Sequence, residues 1–412
     1  MFPARWGATR VALLFFLCGF AVLLASCTVS SHRKVGKPPT VSGKPPVDVS
    51  GKAPVVPFPS DPAASRFLRV LFDQKAEEMT LSAETLRVWD ADGRLVAEIS
   101  GSAAFSCIAD RIRIDGTRLL GGSVDVAGAP DLMIDKRRVG GRVRLLARNG
   151  QLLAVAVVPL ETYVAAVISR ETPRLFHPEA LKAQAIASRT YAYVALRKPR
   201  DSAYDLVGSV EDQVFEGVDD VSPLFSNATL ETSGLVLMYR GELTQTVYHS
   251  TCGGRTESAV NAWGRDVPYL RTQTCEDCSS SPAYRWNYRM TQAEGRRVAR
   301  AMGIPAGDKN IRISVAGLNS SGRISRMLLT SSGVSRETQA AAFRSTVGYA
   351  RMRSLWATIE PDGDEWIIKG RGYGHGVGMC QYGANGMAKA GKGFREILSR
   401  YYPGAELSRG TP

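Results

Sequence analysis

The chain has 412 residues, enough for two or three domains, and its 44% hydrophobic and 8% aromatic content is that of a folded protein rather than a disordered one. A formal net charge of +13 favours a polyanionic partner, whether nucleic acid, anionic lipid or cell-wall polymer. No Lys/Arg tract interleaved with aromatics, no helix-turn-helix and no zinc-finger array occurs, so nucleic acid ranks last and is not expected.

Residues 1–26 have the layout of a secretory signal: Arg5 and Arg10 precede an apolar run from Val11 to Leu24, which ends in Leu24-Ala25-Ser26-Cys27. The run is short for a membrane-spanning helix. Small residues before a Cys resemble a bacterial lipobox, which implies cleavage before Cys27 and lipidation of its thiol. An ordinary cleaved signal is the alternative. Thr28 is not the Asp that retains such lipoproteins at the inner membrane, so a Gram-negative cell would place the chain on the periplasmic side of its outer membrane. From 27 to 63 three near-repeats (Gly36-Lys37-Pro38-Pro39, Gly43-Lys44-Pro45-Pro46, Gly51-Lys52-Ala53-Pro54) make an extended tether that cannot bury a core and reaches on the order of 100 Å.

Residues 64–157 read as short strands with frequent turns: Arg66–Phe72, Leu86–Trp89 before the hairpin signal Asp90-Ala91-Asp92-Gly93, and Gly141–Ala147 joined by Asn149-Gly150 to Gln151–Val158. Cys107 is expected to be a small buried hydrophobe. The part from 158 to 404 opens on two amphipathic helices within Leu160–Leu196, and 405–412 is a tail. Pro173 pushes Thr172 out of helical space and Pro178 suits a first helical turn, which leaves Glu171 at the end of one helix facing the connection to the next. A carboxylate is unfavourable there because a helix C-terminus carries partial negative charge. Either Glu171 pairs with Arg170, Arg174 or Arg189, or it has a chemical task.

Four histidines occur in the whole chain. His249-x2-Cys252 and Cys275-x2-Cys278 are separated by 22 residues, the arrangement of a closed tetrahedral zinc site with a structural role. A Cys275–Cys278 redox pair or disulfide, with His249 incidental, is the competing reading. No His-Glu-x-x-His is present, which disfavours a catalytic zinc hydrolase. Between Gly370 and Ala384 lie six glycines in fifteen residues, around His375. They permit turns and close ligand approach, and their spacing fits no phosphate cradle. Helices are expected over Gln381–Ala390 and Phe394–Tyr401.

Together these segments resemble the SpoIID/LytB family, the stage II sporulation protein D and amidase-enhancer group. The matching motifs are Leu160-Glu161-x-Tyr163 through Glu171-x-Pro173, Glu179–Ala185 with Arg189-Thr190-Tyr191-Ala192, Tyr248–Gly254 to Pro268-Tyr269-Leu270, Gly374–Met379, and the shorter Asp212-Gln213-Val214-Phe215-x-Gly217. The likeness spans roughly 64–404, and Thr172 stands where the family often has Met. It implies lytic transglycosylation of glycan strands stripped of stem peptides, with Glu171 catalytic, or enhancement of an amidase partner. One carboxyl group suffices for that reaction, and apolar neighbours such as Ile168, Leu175 and Phe176 would keep it protonated. Arg189, Tyr191 and Arg170 are candidate substrate-binding residues, with Gln381, His375 and Tyr373 on the other wall. The expected fold is α+β: a β-rich module packed on a helical pair that carries the glutamate, with a zinc-clamped loop region and a glycine-rich C-terminal motif. Peptidoglycan strands, an amidase and a membrane reached through the lipid are the expected partners.

Overall fold

A computed structural model describes residues 66–75, 78–306 and 311–409. The signal, Cys27 and the tether lie outside the described residues. No helix among them is long and apolar enough to cross a membrane.

Period-two burial builds the first half. In Phe67–Lys75, Leu68, Val70 and Phe72 face inward, as alternation in a strand with one core face requires. In Glu78–Asp90 the buried residues are Met79 and Leu81, then Leu86 and Val88. The change of parity falls at a register shift between Ala83 and Thr85, where a bulge absorbs the odd residue and keeps both halves on the core. Asn149 and Gly150 both have positive φ, the geometry of a tight hairpin turn, and join Arg142–Arg148 to Gln151–Pro159. These strands belong to an eleven-stranded sheet in the order Leu206–Val207, Phe67–Lys75, Gln151–Pro159, Arg142–Arg148, Ser123–Ala129, Glu78–Asp90, Leu95–Ile108, Arg111–Ile114, Arg118–Leu119, with two short strands off the path.

Gln151–Pro159 is buried on both faces from Leu152 to Val158, and its last residue leads straight into a helix. The described residues form eight helices: α1 (Leu160–Glu171), α2 (Pro178–Arg197), α3 (Pro223–Glu231), α4 (Ala259–Trp263), α5 (Gln292–Ala301), α6 (Ala340–Val347), α7 (Gln381–Lys389) and α8 (Phe394–Tyr401). Helix α2 starts where the sequence places Pro178, with the His177 ring accepting from the Glu179 N–H at 3.3 Å. Helices α1 and α2 are locked by Arg189, whose side chain is 0% exposed. Its Nε and Nη2 meet the two carboxylate oxygens of Glu161 at 2.8 and 2.6 Å, and its remaining N–H groups donate to the Leu235 and Thr229 carbonyls. Glu161 and Arg189, 28 residues apart, are thereby joined across the helix pair.

The stretch 158–404 contains more β structure than its helical motifs suggest. Between Arg285 and Arg371 two three-stranded sheets, α5 and α6 enclose a second core around Trp286, Met290, Met327, Phe343 and Trp366. This inserted module is pinned to the main core by a buried pair, Glu257 and Arg323, 3.7 Å apart and at most 4% exposed. Ser321, Asn319 and Asn261 donate to the Glu257 carboxylate, while Arg323 donates to the carbonyls of Cys252, Arg255 and Thr256. Every strong polar group at this junction therefore has a partner, which is what makes its burial tolerable.

Arg189→Ala leaves Glu161 without its buried partner and should lower the unfolding free energy by about 3 kcal/mol. Urea unfolding followed by circular dichroism measures it; a shift typical of an exposed ion pair would show that the pair does not lock the helices.

Candidate functional site

Glu171 is the last residue of α1, and Thr172 turns extended (ψ 142°), with its Oγ1 donating to the Ile168 carbonyl at 2.6 Å. The half-buried Glu171 carboxylate accepts the Val214 N–H at 3.2 Å and a hydrogen bond from the Gln381 side chain. Burial raises its pKa above the ordinary carboxyl value; these two neutral donors offset the shift only in part. Behind it runs a buried polar chain. Tyr163 donates to Gln213 Oε1 at 3.0 Å, and Gln213 donates to the Tyr248 hydroxyl at 3.0 Å. Gln184 bonds Ser188 at 3.2 Å and accepts from Gln381 at 3.5 Å. Burial, together with the nearby Glu171 charge, holds the Tyr248 phenol far above its usual pKa, so the chain stays neutral at ordinary pH.

The arginines near Glu171 in sequence are committed elsewhere. Arg170 pairs with Glu216 and Asp220, Arg174 with Asp220, and Arg189 with Glu161. The expected role of Arg189 in substrate binding is thus corrected: a guanidinium with no exposed surface and four protein acceptors serves the fold. Tyr191 donates to Asp212 at 3.0 Å, and Asp212 also accepts from Arg200 and the Val207 N–H. Arg170 is more open and bridges α1 to the loop that delivers the Val214 N–H. Ile168 and Phe176 are buried, but Leu175 is 91% exposed, which removes it from the apolar surroundings expected of Glu171. Phe176 instead packs edge-on against Tyr382 at 5.1 Å, and the His177 N–H donates to Asn385, tying the α1–α2 connection to α7.

In the glycine-rich segment, Gly378 has φ +71°, and a Cβ there would lie 2.0 Å from the Val247 carbonyl oxygen. The segment needs glycine because it runs against a neighbouring strand. Tyr373 is 37% exposed, and the His375 ring sits 5.3 Å from Trp263 and 5.6 Å from His249. Burial lowers the His375 pKa to about 4, and its Nδ1 accepts from the Val377 N–H. His375 is therefore neutral near pH 7, and Gln381 is the member of this wall that reaches Glu171.

Cys252, Cys275 and Cys278 come together as expected, but the fourth member is Cys380, not His249. The strands Tyr248–His249 and Met379–Cys380 pair side by side, which puts Cys380 into the thiol group while His249 Nδ1 is held by the Val377 carbonyl at 3.0 Å. The four sulfurs lie within 4.8 Å of one another, near the ~3.8 Å spacing expected of thiolates at 2.3 Å around a tetrahedral ion. Amide N–H groups of Cys252 and Gly383 point at Cys380 Sγ at 3.2 and 3.3 Å, and these donors favour a thiolate. The free cysteines are unpaired as disulfides, and Cys107 stands apart, half-buried. This donor set could hold a metal ion and is compatible with zinc. Gly383 must be glycine here, since a Cβ would lie 2.6 Å from Cys275 Sγ.

Val214, Gln213, Gln184 and Tyr248 are site residues that a search for catalytic groups overlooks. Their signal was present: Gln213 and Val214 belong to the Asp212–Gly217 motif, and Gln184 is a polar residue among the alanines and leucine of the first half of α2.

Purified protein should carry about one tightly bound divalent metal per chain by elemental analysis. Cys380→Ser should lose most of it and His249→Ala should keep it; the reverse pattern would restore the histidine as ligand.

The stage II sporulation protein (SpoIID) family matches residues 148–239, which hold α1, α2, Glu171 and Val214, and a domain of unknown function, DUF8618, matches 265–378, which includes the inserted module. An uncharacterised protein of Brachyspira hyodysenteriae is 31% identical over 65% of this chain and 71% of its own length. Stage II sporulation protein D of Bacillus amyloliquefaciens is 30% identical over 62% of this chain and 76% of its own. An amidase enhancer of Bacillus subtilis is 28% identical over 59% of this chain and 40% of its own. With its site glutamate inside the matched region and this breadth of similarity, the chain belongs to the stage II sporulation protein D (SpoIID) family.

Proposed function

We propose that the protein is a peptidoglycan lytic transglycosylase that cleaves glycan strands lacking stem peptides, with Glu171 as its single acid and base. The observation that carries this reading is a desolvated carboxyl whose pKa is raised and whose donors, the Val214 N–H and Gln381, are both neutral. A salt-bridged carboxylate could not serve as an acid near neutral pH, and Arg170, Arg174 and Arg189 are each paired with another residue. Protonated Glu171 donates to the glycosidic oxygen as the bond to C1 of the muramic sugar breaks. The resulting carboxylate, steadied by Val214 and Gln381, takes the proton of the sugar's C6 hydroxyl as that oxygen bonds to C1 and closes a 1,6-anhydro ring. Asp212 is not a second catalytic carboxylate in this scheme, because Tyr191, Arg200 and the Val207 N–H occupy it. Tyr373 and His375 border the strand as substrate contacts, with Arg170 at the opposite edge.

A zinc ion held by Cys252, Cys275, Cys278 and Cys380 has a structural role in this reading. It supplies no reacting oxygen. Cys380 caps α7 and Gln381 is its first residue, so fixing the thiols fixes the amide that meets Glu171. The lipid on Cys27 and the proline-rich tether place the domain at a distance from the membrane, in the envelope. Similarity to an amidase enhancer favours a second reading, in which the domain binds strands and presents them to an N-acetylmuramoyl-L-alanine amidase without cutting them.

Mass spectrometry of digested strands decides between the two. Wild-type protein should yield 1,6-anhydro ends and Glu171→Gln should lose at least ~10³-fold in rate, the scale of a removed acid/base group; no anhydro product from wild type, with faster stem-peptide release by added amidase, would establish the enhancer.

The raised pKa also sets a stability rule. The folded state binds the Glu171 proton more tightly than the unfolded chain, so ionisation destabilises the fold as pH climbs from the unfolded pKa to the folded one. Glu171→Gln should accordingly raise the melting temperature near pH 7 and leave it unchanged well below pH 4, in calorimetric scans at both pH values.

A further inference from the structure

The inserted module contains a cleft of about 1210 Å³ between its Arg285–Met290, Glu365–Arg371 and Ala357–Asp362 sheet and the neighbouring strand Arg312–Leu318. No group around Glu171 lines it. Four basic residues do, Arg285, Arg289, Lys369 and Arg371, and no carboxylate. The acids of this sheet stand outside the cleft: Glu360 holds Lys369 at 2.7 Å, and Asp362 and Glu365 hold Arg289 at 2.6 and 3.0 Å. Arg371 stacks over Trp356 at 5.5 Å and Arg285 over Tyr284 at 5.9 Å. A guanidinium seated on a ring keeps its N–H edge in the plane where a carboxylate binds in two-point fashion. Apolar surface lies beside these edges, with Leu318 60% exposed.

We propose that this cleft is a second glycan subsite, which grips carboxylate-bearing sugars of the strand whose other part lies at Glu171. The inference rests on the reading of that strand as the substrate. Three observations select the ligand. Lys369 and Arg289 are already paired, but the guanidinium groups of Arg285 and Arg371 face no carboxylate among the described residues and call for an anion, and sugar rings present C–H faces that suit the apolar patch. Trp356 already carries Arg255, Arg323 and Arg371 within 6.0 Å of its ring, which leaves it a poor platform for stacking nucleobases. The cleft is also continuous in the chain with the site: Arg371 ends its strand, and the glycine-rich segment leads from there to Gln381. A strand freed of stem peptides exposes a lactyl carboxylate on every muramic residue, and these are the anions such a cleft would count.

Binding is measured with the full chain carrying Glu171→Gln, so that turnover does not enter. The probes are short and long stem-peptide-free strands, long strands whose carboxyls have been converted to amides, and oligothymidylate. Long strands should bind ~10-fold more weakly when Arg285→Glu and Arg371→Glu are added, with short strands unaffected and amidated strands already weak. If the double variant does not fold, each single substitution carries the same comparison. Long strands that ignore the substitutions, amidated strands that bind undiminished, or oligothymidylate that binds as tightly would overturn the subsite and leave the Glu171 chemistry standing. Failure of every strand to bind would overturn the glycan reading of both sites.

Discussion

The buried pair between Glu161 and Arg189 is the interaction on which the site depends. It joins α1 to α2 with two charge-assisted hydrogen bonds and extends to the carbonyls of Thr229 in α3 and Leu235 just after it, so one guanidinium ties three helices and the strand that follows. Arg189 is committed to Glu161 at the other end of α1 from Glu171, and Arg170 and Arg174 are paired with acids elsewhere. A carboxyl left at a helix C-terminus, facing partial negative charge and shielded from water, then has no cation to lower its pKa. Stability supplied at one end of α1 thus permits a strained electrostatic environment at the other.

Helix α7 is the second element of the same design. Its first residue, Gln381, meets Glu171; the residue before it, Cys380, belongs to the thiol cluster; and Asn385 one turn on receives the His177 N–H from the α1–α2 connection. Three unrelated contacts therefore fix one short helix against the glutamate. The packing is close enough that Gly386 could not carry a Cβ, which would lie 2.0 Å from the Asp277 carbonyl oxygen. A metal held by the cysteines would bear on Glu171 through this geometry, as Cys380 and Gln381 are neighbours in the chain.

The inserted module stands in a different relation to the site. Its own core is independent, yet Arg323 reaches out of it to Glu257 and to carbonyls beside Cys252, next to the thiol cluster. Glu257 in turn donates its N–H to the Gly376 carbonyl at 2.7 Å. Thiol cluster, glycine-rich segment and inserted module meet at one satisfied polar junction, so the module's orientation is set by hydrogen bonds with fixed directions as well as by apolar contact.

Much of the fold was legible in the chain because it follows from local rules. Pro173, Pro178 and Asn149-Gly150 determine backbone angles regardless of what surrounds them, so the ends of α1 and α2 and the hairpin into Gln151–Pro159 fall where the residues put them. The same is true of α8, whose amphipathic pattern is contained in its own residues. Partner choice was decided only in three dimensions. An arginine side chain can reach several acids, and Arg189 took Glu161 because helix packing set the two opposite each other in a dry interior. The thiol partner of Cys252 was settled by a parallel strand pairing between residues 248–249 and 379–380, a contact that no sequence spacing encodes. Local conformation is written in short stretches of chain, whereas the identity of a long side chain's partner depends on which distant segments the core brings within reach.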